Sequence, residues 1–181
     1  MNARLDDGVQ HTSRLILRPF RPDDAAAYAA LRARPEVAAQ LPSSDPTPEV
    51  LAERVIDHFI DEWAKRGYGP WALIDPSSER LIGHGGLRFV PEFDGVEVLW
   101  ALDPDFWGRG LVTEMARAAL DRGFGELGLV EIFAIARPEN PRSIAVMSRI
   151  GMGFRRMAAY KGFKVVYHTI TADDWSQRTN G

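Results

Sequence analysis

The chain has 181 residues, 45% of them apolar, which is enough for one sizeable core and short for two. A formal net charge of -3 excludes a whole-chain basic field of the kind that holds nucleic acid. There is no cysteine, so disulfides, thiolate zinc sites and a thiol nucleophile are excluded together. No apolar run approaches the roughly 18 residues that span a bilayer, so no membrane partner is expected and a cytoplasmic location is the default.

In chain order, "RLILRPF" (14–20) alternates arginine with apolar residues and reads as a strand ended by Pro19 and Pro22. Asp23 or Asp24 then caps an alanine-rich helix to about Ala33, interrupted at Pro35. The next helix has Thr47 as N-cap and Pro48 at its first position, with Leu51, Val55, Phe59 and Trp63 recurring every four residues and Gly67 closing it. "YGPWALID", "RLIGHGGLRF" and "VEVLWALD" follow as three strands joined by short turns, an antiparallel meander. Beyond them come a helix from Thr113 to about Leu127, a β-rich run over 130–136 and a short helix from Ser143 to Ile150. Two strands, "FRRMAAY" and "FKVVYHTI", finish the sheet, and Thr171 caps a last turn through Trp175. The order β-α-α-β-β-β-α-β-α-β-β gives an α/β (α+β) class around one mixed central sheet.

The stretch "FWGRGLVTEM" (106–115) places Gly108 and Gly110 around Arg109 just where a helix begins. A helix start leaves backbone N–H groups unpaired and aimed outward, a ready seat for an anion. The helix dipole contributes about 0.3–1 kcal/mol there, and each charge-assisted hydrogen bond about 1.5–3, so the bonds dominate. The glycines have two readings: removal of Cβ lets phosphate oxygens reach the main chain, or the loop needs positive φ. The spacing matches neither GxxxxGKS/T nor a GxGxxG in a parallel dinucleotide-binding unit.

Downstream lies "PENPRSIAVMSRIGMGF" (138–154). With "DPDFWGRGLVTEM" and "VEVLWALD" it resembles the GNAT acetyltransferase superfamily, in its branch of RimJ/RimL-type ribosomal-protein N-terminal acetyltransferases. The resemblance runs from about Thr12 to Trp175 and implies one GNAT-like domain over 12–175, with 1–11 and 176–181 as flexible termini. It also implies acetyl-CoA as cosubstrate and no metal. By resemblance Trp107, Gly108, Arg109, Gly110, Leu111 and Val112 form the pyrophosphate loop, followed by Thr113; Val112 departs from the family's Gly or Ala. Asn140 matches the residue that binds the pantetheine arm, and Ser143 matches the branch's serine. Splayed strands are expected to hold that arm by main-chain bonds, here "LVEIFAIA" and the stretch Leu99, Trp100, Ala101 and Leu102. Met147, by the resemblance also among the cofactor-binding residues, stands where many members carry a tyrosine that protonates the leaving thiolate. A thioether cannot donate a proton, so Ser143 is the nearest replacement, beside water; its alternative role is a helix N-cap.

In this family an amine attacks the thioester directly, in agreement with the absence of cysteine. The resemblance makes a protein N-terminal α-amine the first acceptor and a small-molecule amine, polyamine or antibiotic, the second. For a polyamine the acidic groove would be Asp57, Asp61 and Glu62, which read equally as the exposed face of an amphipathic helix. A third reading, a non-catalytic acyl-CoA sensor, is favoured by Met147 and Val112. Glu97 matches the branch's strand glutamate and is either a general base of raised pKa or an ordinary solvated carboxylate. His84 in "IGHGGL" reads as part of a strand rather than an oxyanion loop, since no GxSxG accompanies it. Trp63, Trp71, Phe89 and Phe93 line either an acceptor pocket or the core. Monomer and homodimer are both open.

Overall fold

A computed structural model describes residues 8–41 and 47–179. The parts of the expected flexible termini at 1–7 and 180–181 lie outside the described residues. Eight strands form one sheet: β1 (Gln10–His11), β2 (Ile16–Pro19), β3 (Pro70–Asp75), β4 (Arg80–Val90), β5 (Gly95–Leu102), β6 (Glu131–Ala136), β7 (Gly153–Tyr160) and β8 (Phe163–Thr171). Their spatial order is β1-β2-β3-β4-β5-β6-β8-β7. Every neighbouring pair is antiparallel except β5 and β6, which run parallel. A parallel pair needs a long crossover, and helix α4 (Leu111–Asp121) supplies it. This is the mixed α+β sheet read from the sequence.

The two faces carry separate cores. Trp71 and Leu73 of β3 face Met115, Ala119 and Leu120 of α4. Ala72 and Ile74 face the other way, toward Tyr28 of α1 (Ala25–Ala33) and Ile56 and Phe59 of α3 (Pro48–Arg66). Alternate side chains of a strand point to opposite faces, so a strand covered on both sides reads as the unbroken apolar run "WALI".

Helix α3 is capped as its sequence implies, with Thr47 Oγ accepting the Val50 N–H at 3.3 Å and Gly67 in the left-handed region at φ +71°. Its buried face differs from the expected one. Ala52, Ile56, Phe59 and Glu62 are buried, while Leu51, Val55 and Trp63 are half-buried. A strict four-residue repeat drifts by roughly 40° per step at 3.6 residues per turn, so the expected stripe winds off the core within two turns.

Several element bounds also differ. The first strand spans only Ile16–Pro19, and β1 precedes it inside a stretch expected to be a flexible terminus. Tertiary contact explains β1: the buried Trp71 indole donates to the Gly8 carbonyl at 2.8 Å and fixes the chain there. After the break at Pro35 a short helix α2 (Pro35–Ala38) resumes. Helix α4 starts at Leu111, ahead of Thr113, and gives way after Asp121 to a wider π turn, Arg122–Glu126, instead of running to Leu127. Helix α5 (Pro141–Arg149) begins two residues before Ser143. Helix α6 (Ala172–Thr179) continues past Trp175, whose indole donates to Asp121 at 2.9 Å and ties the helix to α4. Among the described residues no helix is long and apolar enough to cross a membrane.

Strands β4 and β5 approach closely because Gly83 has no side chain: a Cβ there would overlap the Ala101 carbonyl of β5. Gly83→Ala is expected to lower the unfolding free energy by about 1–3 kcal/mol through this overpacking. Urea denaturation measures it, and an unchanged midpoint would show that β5 moves aside freely.

Candidate active site

Strands β5 and β6 are joined in register at one residue pair, Glu97 opposite Phe133. Beyond that pair a cavity of about 1650 Å³ opens between them. Its walls include Val98, Leu99, Trp100, Ala101 and Leu102 from β5 and Ile135 and Ala136 from β6. On its other edge β5 is paired with β4 along its whole length. The main-chain groups on the β6 side are therefore the ones turned toward the gap.

One end of the cavity is the glycine loop. The Trp107 indole donates to the Leu102 carbonyl at 2.9 Å, which fixes the loop to the end of β5. Gly108 and Gly110 have φ of +74° and +76°, and Gly110 is the N-cap of α4. A Cβ at Gly108 would meet nothing within 4 Å. The left-handed backbone by itself therefore accounts for both glycines, and it leaves the loop surface bare. The first bond into the helix runs from Glu114 N–H to the Gly110 carbonyl at 3.0 Å. The amides of Leu111, Val112 and Thr113 precede it, and all three residues border the cavity with Trp107, Gly108 and Gly110.

Arg14 clamps this arrangement. Its Nη1 donates to the Arg109 carbonyl at 2.6 Å and its Nε to Glu114 Oε2 at 2.7 Å, while its own backbone N–H reaches Glu114 Oε1 at 2.8 Å. Burial opposes ionisation of Glu114, but the bonds from Thr12 and Arg14 outweigh it and hold the carboxyl below its ordinary range. Arg14, Arg117, Arg142 and Arg149 line the cavity, and the Arg142 guanidinium lies over the Trp107 ring at 4.4 Å. The Arg109 side chain does not join them. It lies over the Phe106 ring at 5.0 Å and donates to the Asp105 carbonyl at 2.8 Å, so only its main chain belongs to the loop.

Helix α5 forms another wall. Asn140 is its N-cap, with Oδ1 accepting the Ser143 N–H at 3.1 Å. Ser143 therefore does not cap the helix. Its Oγ instead accepts the Trp100 indole N–H at 3.2 Å, a bond from β5 to α5 at the cavity wall. Met147, expected among the cofactor-binding residues, is fully buried in the core behind the helix and does not line the cavity.

Glu97 sits where the strands begin to part, and it is 3% exposed, so it is not a solvated surface carboxylate. Arg88 stands directly opposite it in the β4–β5 register, with Nη2 at 2.6 Å and Nε at 2.7 Å from Oε2. Across the gap the Ile135 backbone also favours the ionised carboxylate. Burial pushes the Glu97 carboxyl up, against the pull of Arg88. On the far side Arg88 Nη2 donates to the Tyr160 hydroxyl at 3.3 Å.

Beyond Glu97 the cavity extends beneath α1 and α3. His84 is buried there with Nδ1 3.1 Å from the Tyr28 hydroxyl, to which Arg32 Nη1 donates at 3.4 Å. Burial, aided by the nearby Arg32 and Arg88, pushes His84 down to about 3, so the ring is neutral at physiological pH. The acidic cluster of α3 is divided. Asp57 is exposed and Asp61 half-buried, bonded to Lys65 at 2.6 Å, whereas Glu62 turns inward and pairs with Arg66 at 3.3 Å. Trp71 belongs to the core, and Phe89 lines the cavity under the Arg66 guanidinium at 4.3 Å. Arg88, Tyr28, Arg32 and Tyr160 have no counterpart among the sequence candidates. Only Arg88 had a local signal: the "PEFDG" turn sets the hairpin register that puts it across from Glu97.

Residues 14–153 match a family model described as "Acetyltransferase (GNAT) domain". The uncharacterized N-acetyltransferase YnaD of Bacillus subtilis (strain 168) is 28% identical over 173 residues, covering 91% of this chain and 98% of that protein. Spermidine N(1)-acetyltransferase of Escherichia coli (strain K12) is 34% identical over 107 residues, 49% of this chain and 58% of that protein. The structure of Mycobacterium smegmatis RimJ in complex with CoA-disulfide superposes with a TM-score of 0.78 over 94% of this chain and 90% of that one, at 20% identity, a likeness of fold.

The Arg14 clamp makes a direct prediction. In Arg14→Ala the Arg109 carbonyl and the Glu114 carboxylate lose their shared donor, and amide hydrogen exchange over residues 114–117, the first bonded amides of α4, is expected to speed up about tenfold, with β4 unaffected. Exchange mass spectrometry tests it; unchanged protection of that turn would mean the loop and helix start hold themselves.

Proposed function

The chain belongs to the GNAT acetyltransferase family, and from that premise we propose that it transfers the acetyl group of acetyl-CoA to an α-amine in the cavity between β5 and β6. The family assignment makes it an N-acetyltransferase; the acceptor is our reading. The observation that carries it is the position of the buried Glu97 at the point where β5 and β6 part, with the open amides of α4 at the other end of the same cavity.

The residues present fit such a donor. The amides of Leu111, Val112 and Thr113, with Arg14, Arg117 and Arg142 nearby, suit a diphosphate. Val112 contributes through its backbone, so its branched side chain leaves that role intact. The gap side of β5 from Leu99 to Leu102 offers main-chain groups to an amide-bearing arm, and Asn140 lies across the gap. When bound, acetyl-CoA supplies a thioester carbonyl to be attacked; the chain's own residues move the protons.

Attack requires a neutral amine. An α-amine with a pKa of about 7.7–8.0 is partly neutral at physiological pH, whereas a lysine amine at about 10.4 is neutral only about one part in a thousand. Glu97 is positioned to take the proton that the nitrogen sheds as its bond to carbon forms, and burial raises its basicity for the task. The departing sulfur needs a proton in return. Because the Ser143 oxygen already accepts from Trp100, its own hydrogen is left to donate, which makes Ser143 the proton donor that Met147 cannot be. Met147 is also the observation that favours a second reading, a sensor that binds acyl-CoA without transfer.

Turnover distinguishes the two. Glu97→Gln is expected to lower kcat at least about tenfold while leaving coenzyme A affinity by calorimetry unchanged; binding without thiol release in the unaltered protein would leave only the sensor. Replacing Arg88 by Met removes the positive charge that favours ionised Glu97, so the carboxyl pKa rises further. Because the base works only when ionised, the acid limb of kcat/KM should then move to higher pH, and an unmoved limb would assign that limb to another group.

A further inference from the structure

The chain holds three lysines, Lys65, Lys161 and Lys164, and their settings differ. Lys65 lies on α3 with its ammonium bonded to Asp61 at 2.6 Å, and neither it nor Lys164 on β8 borders the cavity. Lys161 does border it, exposed at the turn between β7 and β8. That turn has two residues between the paired Tyr160 and Phe163, and both are left-handed, Lys161 at φ +47° and Gly162 at φ +81°. Asn, Asp or Gly fits the first of these positions with less strain than a long side chain. Backbone geometry therefore does not select the lysine.

A series of contacts leads from its ammonium to the base. The ammonium stands 5.3 Å from the centre of the Tyr160 ring, the Tyr160 hydroxyl accepts from Arg88 Nη2 at 3.3 Å, and the same nitrogen lies 2.6 Å from Glu97 Oε2. The Lys161 charge also acts on Glu97 through space and, like Arg88, favours the ionised carboxylate. The other titratable groups facing Glu97 are Tyr160, through Arg88, and Tyr167 of β8. Only about one part in a thousand of a lysine amine is neutral at physiological pH. Tethering offsets part of that shortage, because a side chain fixed at the cavity wall is presented at about millimolar concentration or above with no binding step.

We propose that Lys161 is a site of self-acetylation, an internal ε-amine acceptor in the wall of the cavity. The inference rests on the acetyl-transfer reading above. The Lys161 ammonium first sheds one proton to solvent. The neutral nitrogen then forms its bond to the acetyl carbon as the C–S bond breaks; its second proton passes to Glu97, the sulfur leaves with a proton from Ser143, and both residues re-equilibrate with water. The product is a neutral amide and free coenzyme A. Glu97 keeps Arg88 but loses its second cation, so it ionises at higher pH after the modification.

Intact-mass and peptide-mapping mass spectrometry of the purified protein, incubated with acetyl-CoA and no added amine, tests this. One acetyl group is expected on Lys161, entering at least about tenfold faster than at Lys65 or Lys164, at a rate independent of protein concentration. It should be lost in Lys161→Arg and slowed in Glu97→Gln. In the free protein, carbon-detected NMR titration should show the Glu97 carboxyl ionising at higher pH in Lys161→Gln; an unmoved titration overturns the coupling to the base. Equal labelling of the three lysines, or undiminished labelling in Glu97→Gln, assigns the modification to solvent chemistry and overturns the inference. A rate that rises with protein concentration overturns it by placing the transfer between molecules. An unmodified Lys161 in protein that releases thiol with added amines overturns it and leaves N-acetylation intact. Neither incorporation nor thiol release with any amine overturns the acceptor reading and this inference together.

Discussion

The Arg88–Glu97 ion pair is the fixed point of the site. It lies across the β4–β5 register, at the residue where β5 is last joined to β6. A buried ion pair offers little net stability, because removing two charges from water costs several kcal/mol per ion and their attraction only roughly offsets it. What it supplies is position. A carboxylate held by two donors on Oε2 has few alternative rotamers, and under the proposed function the reacting amine comes to it. Truncating either partner leaves the other charged and buried, so the β4–β5 register and the ionisation of Glu97 are coupled in one contact.

The opposite end of the cavity works by a different principle, since its groups are backbone. Two consecutive demands meet in the glycine loop: a left-handed turn at Gly108 and Gly110 that brings the chain from β5 into α4, and a surface free of side chains over the first amides of the helix. The first demand selects glycine on conformational grounds alone, and the second follows from it at no further cost. Arg14 then fixes the register of the loop against the helix by holding a loop carbonyl and a helix carboxylate at once. Anchoring by main chain is indifferent to most substitutions at Leu111, Val112 and Thr113, which is why Val112 departs from the family pattern without removing a donor.

Features determined by neighbours in the chain were legible in the sequence; those determined by neighbours in space were not. The Thr47 cap, the β3–β4–β5 meander and the loop before α4 each depend on a few consecutive residues. Strand β1 has only two residues and exists because Trp71, far along the chain, holds Gly8. A cap at Ser143 is one of two readings of that serine in the sequence, since both Asn140 and Ser143 suit the role, and only the bond from Ser143 N–H to Asn140 Oδ1 decides it. Met147 was read by position in a motif; its rotation into the core follows from the amphipathic face of α5, where Val146 and Met147 are the buried residues. Glu97 was correctly placed on the strand, but its burial required Arg88, Tyr160 and the covering helices to be seen together.

Tyr160 shows how the acceptor side is built from distant parts. The turn between β7 and β8 places Lys161 at φ +47° and Gly162 at φ +81°, a tight reversal that needs two left-handed residues. That reversal carries Tyr160 back over the start of β5, where its hydroxyl meets Arg88 and its ring faces Phe93 at 5.8 Å. On the proposed function the loop that would hold the diphosphate comes from contiguous chain, β5 through α4, with Arg14, β6 and α5 closing around it, while the acceptor half is assembled from α1, α3, β4 and the β7–β8 turn. Contiguous backbone is a robust way to bind one invariant molecule. Side chains converging from four elements can be changed one at a time, so the acceptor can differ between GNAT relatives that keep the same donor loop, and identity along the loop cannot by itself name the amine.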